Sequence, residues 1–120
     1  MKKIIHIDNS EFFRKLVKAY VQEEGFEIES FESAQDASIA LSSGIVDMVI
    51  MGLTFADIEG EEFLDRILES FTGPVIVISS SVAEVKKEKD LIVKGATDAF
   101  DKSGPWKERL KPHLSALKRQ

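Results

Sequence analysis

Met48-Val49-Ile50-Met51, between Asp47 and Gly52, is the run whose reading decides the fold. A strand with one face in water alternates apolar and polar residues, whereas a strand covered on both faces does not. This run does not alternate, and Ile4-Ile5-His6-Ile7 and Val75-Ile76-Val77-Ile78 barely do. Two further short runs complete a set of five expected strands: Lys3–Ile7, Phe26–Phe31, Asp47–Met51, Val75–Ser79 and Thr97–Phe100. Their starts lie 21–28 residues apart with helical spacing between them, as βαβ units require. Right-handed crossovers then give an α/β fold, a five-stranded doubly wound parallel sheet with five helices.

The helices are delimited by their ends. Phe12, Phe13, Leu16, Val17, Tyr20 and Val21 form a wide apolar stripe on a helix from about Ser10 to Glu24, and Gly25 stops it. Ser33 caps a second, shorter helix through Leu41 that Gly44 closes. A third runs through Glu62–Leu68 and ends before Gly73-Pro74. The fourth carries five consecutive charges, Lys86 to Asp90, and can be a solvated helix clamped by Val82, Val85, Leu91, Ile92 and Val93, or a frayed one. The fifth starts at Pro105, and Pro112 inside it is expected to kink or shorten it. Strand order 2-1-3-4-5, the flavodoxin-like order, is the natural choice.

Composition limits the function. A chain of 120 residues, 43% hydrophobic and 31% charged, is expected to form a single domain over residues 1–120. It has no cysteine and two histidines, so disulfides, thiolate metal sites and multi-histidine centres are excluded. A net charge of −5 disfavours nucleic acid as a partner. No apolar run approaches membrane-spanning length, and the run after Lys2-Lys3 stops at His6 and Asp8, too early for a signal peptide. A cytoplasmic protein without membrane partners is expected, as a monomer or weak homodimer.

Ligands of such sheets sit at the carboxyl ends of the strands. Here those ends carry Asp8-Asn9, Gly52, Ser79-Ser80 and Lys102. With Ile7-Asp8-Asn9-Ser10, Asp47–Met51, Asp57-Ile58-Glu59-Gly60, Pro74–Ser80 and Gly95–Lys102, the chain resembles the receiver domains of response regulators, of the chemotaxis-regulator kind, over nearly its whole length. The resemblance implies two-component or phosphorelay signalling, in which an aspartate ending the third strand takes a phosphoryl group from a histidine kinase. It implies that Asp8 matches an acidic Mg²⁺ ligand, Thr54 the residue lending a carbonyl, Ser79 the hydroxyl and Lys102 the lysine that contact the phosphoryl group.

The departures carry equal weight. The phosphoacceptor position is Gly52, which cannot be phosphorylated, and the second acidic position is Asn9. The aromatic switch position falls on Ala99, and Ser103 follows the lysine. Only Asp8 and Lys102 remain charged, a formal sum of zero, so Mg²⁺ binding is expected to be weak or absent and no other cofactor is implied. A direct or water-bridged Asp8–Lys102 contact is expected, because an unpaired charge in a cleft is costly. The expected protein is a non-enzymatic pseudo-receiver that acts by phosphorylation-independent contact with other signalling proteins or a fused output domain. Two alternatives stand beside it: a phosphoacceptor relocated to Asp8, Asp57 or Ser79, and a small-molecule module of the same fold.

Other residues have plainer readings. His6 is read as a hydrogen-bonded core histidine, His113 as a surface residue, and Asp57 and Glu59 as solvated loop acids. Trp106 and Phe12 are the candidate anchors for an interaction face, with packing against the domain as the alternative reading of Trp106.

Overall fold

The computed structural model describes residues 1–82 and 84–120. Five strands, β1 (Lys3–Ile7), β2 (Glu27–Phe31), β3 (Met48–Met51), β4 (Val75–Ser79) and β5 (Asp98–Asp101), form one parallel sheet in the order β2-β1-β3-β4-β5. Between and after them run α1 (Glu11–Glu23), α2 (Ala34–Ser43), α3 (Gly60–Ser70), α4 (Val85–Lys94) and α5 (Trp106–Lys118). The fold class and strand order are those expected from the sequence, with β2, β3 and β5 displaced at their ends by one residue.

The apolar runs fail to alternate because both faces of each central strand are covered. Ile4, Met48, Ile50, Ile76 and Ile78 pack under α1 and α5, whereas Ile5, Ile7, Val49, Val75 and Val77 pack under α2, α3 and α4. Each large apolar side chain buried this way contributes roughly 1.5–3 kcal/mol. Ser10 caps α1 by accepting the Phe13 N–H, and Gly25, with φ of +96°, ends the turn beyond it. The wide stripe on α1 is buried only along Phe13, Val17 and Val21; Phe12 is 74% exposed and Leu16 lies at the margin.

Two helical expectations are corrected. α5 is not shortened but runs through Pro112 to Lys118. Pro112 faces solvent, and buried Leu110, Leu114 and Leu117 hold the helix on the sheet on both sides of the lost hydrogen bond. α4 is not clamped by Val85, Ile92 or Val93, all of which are exposed; Leu91 alone is buried within the helix, and Val82 is buried ahead of it. The charges do the holding. Lys87 pairs with Glu61, Lys94 with Asp65 at 3.2 Å, and Glu88 with Arg109 at 2.8 Å, so α4 is tied to α3 on one flank and to α5 on the other.

A helix with one buried residue has little apolar area to hold it, and its ion pairs are screened by salt. Hydrogen exchange is therefore expected to open residues 85–94 before α1, and raising NaCl from about 0.05 to about 1 M, where the Debye length falls to ~3 Å, is expected to speed α4 selectively. Equal protection of α4 and α1 at both salt levels contradicts this account.

Candidate functional site

The sheet ladder continues past the strand ends and sets the site. The Asp8 N–H donates to the Phe31 carbonyl at 3.0 Å, the Gly52 N–H to Ile7 at 2.9 Å, and the Lys102 N–H to Ser79 at 3.3 Å. These bonds bring the six residues expected from the sequence, Asp8, Asn9, Gly52, Thr54, Ser79 and Lys102, around one recess of about 180 Å³, to which Leu53 and Ser80 also contribute.

The centre of that recess is an ion pair. Lys102 Nζ lies 3.0 Å from Asp8 Oδ1 and 2.9 Å from Oδ2. Asp8 is 1% exposed. Its Oδ1 also accepts the Ser10 N–H at 2.8 Å, and its carbonyl accepts from Arg14 Nη1 at 2.6 Å. The ammonium sits 4.7 Å over the Phe13 ring, a cation–π contact. The direct Asp8–Lys102 contact expected from charge counting is present.

Gly52 is what lets the carboxylate lie there. A Cβ at this position would stand 3.0 Å from Asp8 Oδ2 and 3.6 Å from its Cγ, so a side chain here asks the carboxylate to give by a few tenths of an ångström. Ser79 is engaged with Ser81: its Oγ lies 2.9 Å from Ser81 Oγ and accepts the Ser81 N–H at 3.2 Å. Thr54 is exposed and bridges to Glu59 through the backbone. Ala99 is fully buried on β5. Among the described residues, no group of three or more histidine, aspartate or glutamate side chains is placed to hold a metal ion.

Of the two readings of Trp106, packing against the domain holds and an exposed anchor does not: it is 9% exposed and packs edge-on against Phe13 at 5.2 Å and Tyr20 at 5.7 Å. Asp57 is exposed, as expected of a loop acid, and also caps α2 by accepting from Gln35 N at 2.9 Å and Ala34 N at 3.3 Å, and the Gln35 N–H above all holds its carboxyl below the usual range. Glu59 caps α3 through the Glu61 and Glu62 N–H groups. His113 is half-buried, with Nε2 2.8 Å from Asp98 Oδ2. His6 is fully buried, but neither ring nitrogen has a protein partner; its edge-on neighbour is Phe13.

The family model of the response regulator receiver domain matches residues 4–113. The chain belongs to that family. Curated relatives agree: it is 25% identical over 101 residues to the regulatory protein VanRc of Enterococcus gallinarum, covering 84% of this chain and 43% of the relative. It is 29% identical over 96 residues to the chemotaxis protein CheY of Halobacterium salinarum, covering 79% of each. Among solved structures, the receiver domain of a putative LuxO repressor protein from Vibrio parahaemolyticus superposes with a TM-score of 0.85 at 28% identity, over 98% of this chain and 91% of that one. The chain spans less than half the length of VanRc, and 30% of a protein-glutamate methylesterase from Anaeromyxobacter dehalogenans to which it is also similar. No helix among the described residues is long and apolar enough to cross a membrane.

Two measurements probe the receiver's pocket. Lys102→Met strands a buried carboxylate and is expected to cost about 3 kcal/mol in urea unfolding, near the low end for a broken buried pair because Lys102 is partly exposed. Asp8→Asn added to Lys102→Met is expected to recover most of that loss, and failure to recover removes the pair from its central role. For His6, burial first, then the Lys102 and Arg14 charges, lowers the pKa from 6.5 to about 3. Between those values the unfolded chain binds a proton that the folded chain refuses, so stability falls as pH falls, by up to ~1.4 kcal/mol per unit. His6→Leu is expected to flatten that slope and to stabilise the domain at pH 7; an unchanged slope argues against a neutral buried imidazole.

Proposed function

We propose that this receiver domain signals without being phosphorylated, through contact with other signalling proteins or an attached output domain. The observation that carries the reading is Gly52 at the acceptor position, with the Asp8 carboxylate closed onto Lys102 beside it. Phosphoryl transfer needs an in-line nucleophile and cations free to meet the equatorial oxygens. Glycine supplies no nucleophile, and the lysine is already engaged with Asp8.

The relocated-acceptor alternative finds less support. Asp8 is bound by Lys102 and Ser10, Asp57 by two α2 N–H groups, and Ser79 by Ser81. The donor set does not fit Mg²⁺ either. That ion demands several hard oxygens in near-octahedral geometry. Here one carboxylate faces an ammonium, Asn9 is neutral, and Gly52 has no side chain. With Ala99 at the switch position, no aromatic ring is present there to swing between buried and exposed states, so a contact made on the nearby surface is constitutive. Exposed Phe12, with Leu16 one turn along α1, replaces Trp106 as the candidate anchor of a partner face.

Incubation with acetyl phosphate and Mg²⁺, read by intact mass, is expected to give no adduct. An acid-labile adduct on Asp8 or Asp57 would establish a working receiver with a moved acceptor. Gly52→Asp with Asn9→Asp is the companion test: crowding Asp8 off Lys102 is expected to restore Mg²⁺ binding and some labelling.

A further inference from the structure

A second, larger recess of about 570 Å³ opens at the same edge of the sheet, between the loops that follow β1, β2 and β3. The chain passes from β1 outward to β2 and then back across β1 to β3. β1 and β3 therefore flank the point where the strand order reverses, and open α/β sheets bind ligands at such a point. Of its lining residues, only Asn9 and Thr54 stand at phosphoryl-transfer positions of a receiver.

Its lining selects for charge and shape. Phe55 and Ala56 form an apolar side, and Asn9, Ser33 and Thr54 supply hydrogen-bonding groups. Glu32 and Asp57 bring two carboxylates, and no lysine, arginine or histidine lines it. The two N–H bonds that Asp57 accepts fix its carboxylate in place. Phe55 is half-buried and braced edge-on by Phe63, centroids 5.6 Å apart and planes 85° apart, so it is a fixed wall. A recess with an aromatic wall and two carboxylates but no cationic side chain in its lining attracts a cation with a flat or apolar body and repels an anion.

We propose that this recess binds an organic cation: a planar or apolar body carrying an amidinium, guanidinium or amine group. The body lies against Phe55 and Ala56, and the charge faces Glu32 and Asp57. Asn9 and Thr54 line this recess and the Asp8–Lys102 recess alike. Occupancy of one is therefore felt at the wall of the other, which gives the domain a ligand input in place of a phosphoryl one. The site itself does not depend on the loss of the acceptor at Gly52; its use in place of a phosphoryl input rests on the proposed function.

The test is a titration of the intact ¹⁵N-labelled chain with benzamidine, with neutral benzamide and anionic benzoate as controls. Saturable amide shifts at Asn9, Ser33 and residues 54–57 are expected, with a dissociation constant on the order of 1 mM for so small a probe. Benzamide is expected to bind several-fold more weakly and benzoate not at all. Glu32→Gln is expected to weaken benzamidine about threefold, as for one exposed charge. Ala56→Arg, at an exposed position, places a guanidinium in the recess and is expected to abolish the shifts while the rest of the spectrum stays folded. N-acetyl-arginine amide separates the sources of this chemistry: tighter binding than benzamidine points to a partner's arginine, weaker binding to a free small molecule, and both support the site. Equal response to benzoate, shifts that stay linear in benzamidine, or shifts unchanged in Ala56→Arg overturn the proposal.

Discussion

The carboxyl edge of this sheet depends on one ion pair, Asp8 with Lys102. A carboxylate that is 1% exposed cannot stay there alone, since desolvating an isolated charge costs more than folding can spare. The pair is tolerated because Oδ1 takes two hydrogen bonds, while Oδ2 has the ammonium at 2.9 Å but no hydrogen bond of its own. Lys102 reaches both oxygens, the Ser10 N–H holds Oδ1, and Arg14 fixes the backbone of Asp8 from the following helix. Such a pair is weak evidence of added stability but strong evidence of a fixed arrangement: losing either partner costs far more than the intact pair contributes. Gly52 belongs to the same arrangement, because a Cβ there would make a tight 3.0 Å contact with the carboxylate oxygen.

A second economy of charge governs α4. Its buried contact is a single leucine, and Ala96 and Ala99 beside it are small. Pairs to Glu61 and Asp65 on one side, and the Glu88–Arg109–Asp98 chain on the other, take the place of an apolar face. Arg109 also stacks 4.8 Å over Phe100, and His113 meets the other oxygen of Asp98, so α5 is joined to β5 through the same acid. Of the five consecutive charges read as a weakness in the sequence, Lys87 and Glu88 are ties to the neighbouring helices, and Lys94 beyond the run is the third.

Backbone periodicity made the sheet legible in the sequence, and local chemistry made the helix ends legible. Runs such as Met48–Met51 carry their own burial on both faces, so strand identity and order needed no tertiary knowledge. The recess was legible because its residues close strands whose order follows from topology. Side chains whose role is set by a distant partner were not. Trp106 reads as an anchor until Phe13 and Tyr20, far off in the chain, are found to enclose it. Asp57 reads as a solvated loop acid and is exposed, but its bonds to the start of α2 come from a distant part of the chain. The stripe on α1 is wider in sequence than in burial because nothing covers the side that carries Phe12. His6 was the reverse case: burial was legible, but the expected hydrogen bond was not made.

The two recesses bear on how such a domain can carry a signal. A ligand or modification shifts an equilibrium only by as much as it distinguishes two states. At the inner recess little is left to distinguish: the cation is spent on Asp8, the hydroxyl on Ser81, and the switch position holds a methyl group. The outer recess differs in that its polar groups, Glu32 above all, are exposed and not committed to a fixed cation among its lining residues. Asn9 is the hinge of the comparison. It stands next to Asp8 in the chain, lines both spaces, and is neutral where a second acid would have drawn positive charge inward. Losing that acid removes one carboxylate from the inner recess while leaving Glu32 and Asp57 as the negative groups of the outer one. The cation-attracting face of the domain is thereby moved outward from the sheet edge, from the end of β3 to the mouth of the three loops.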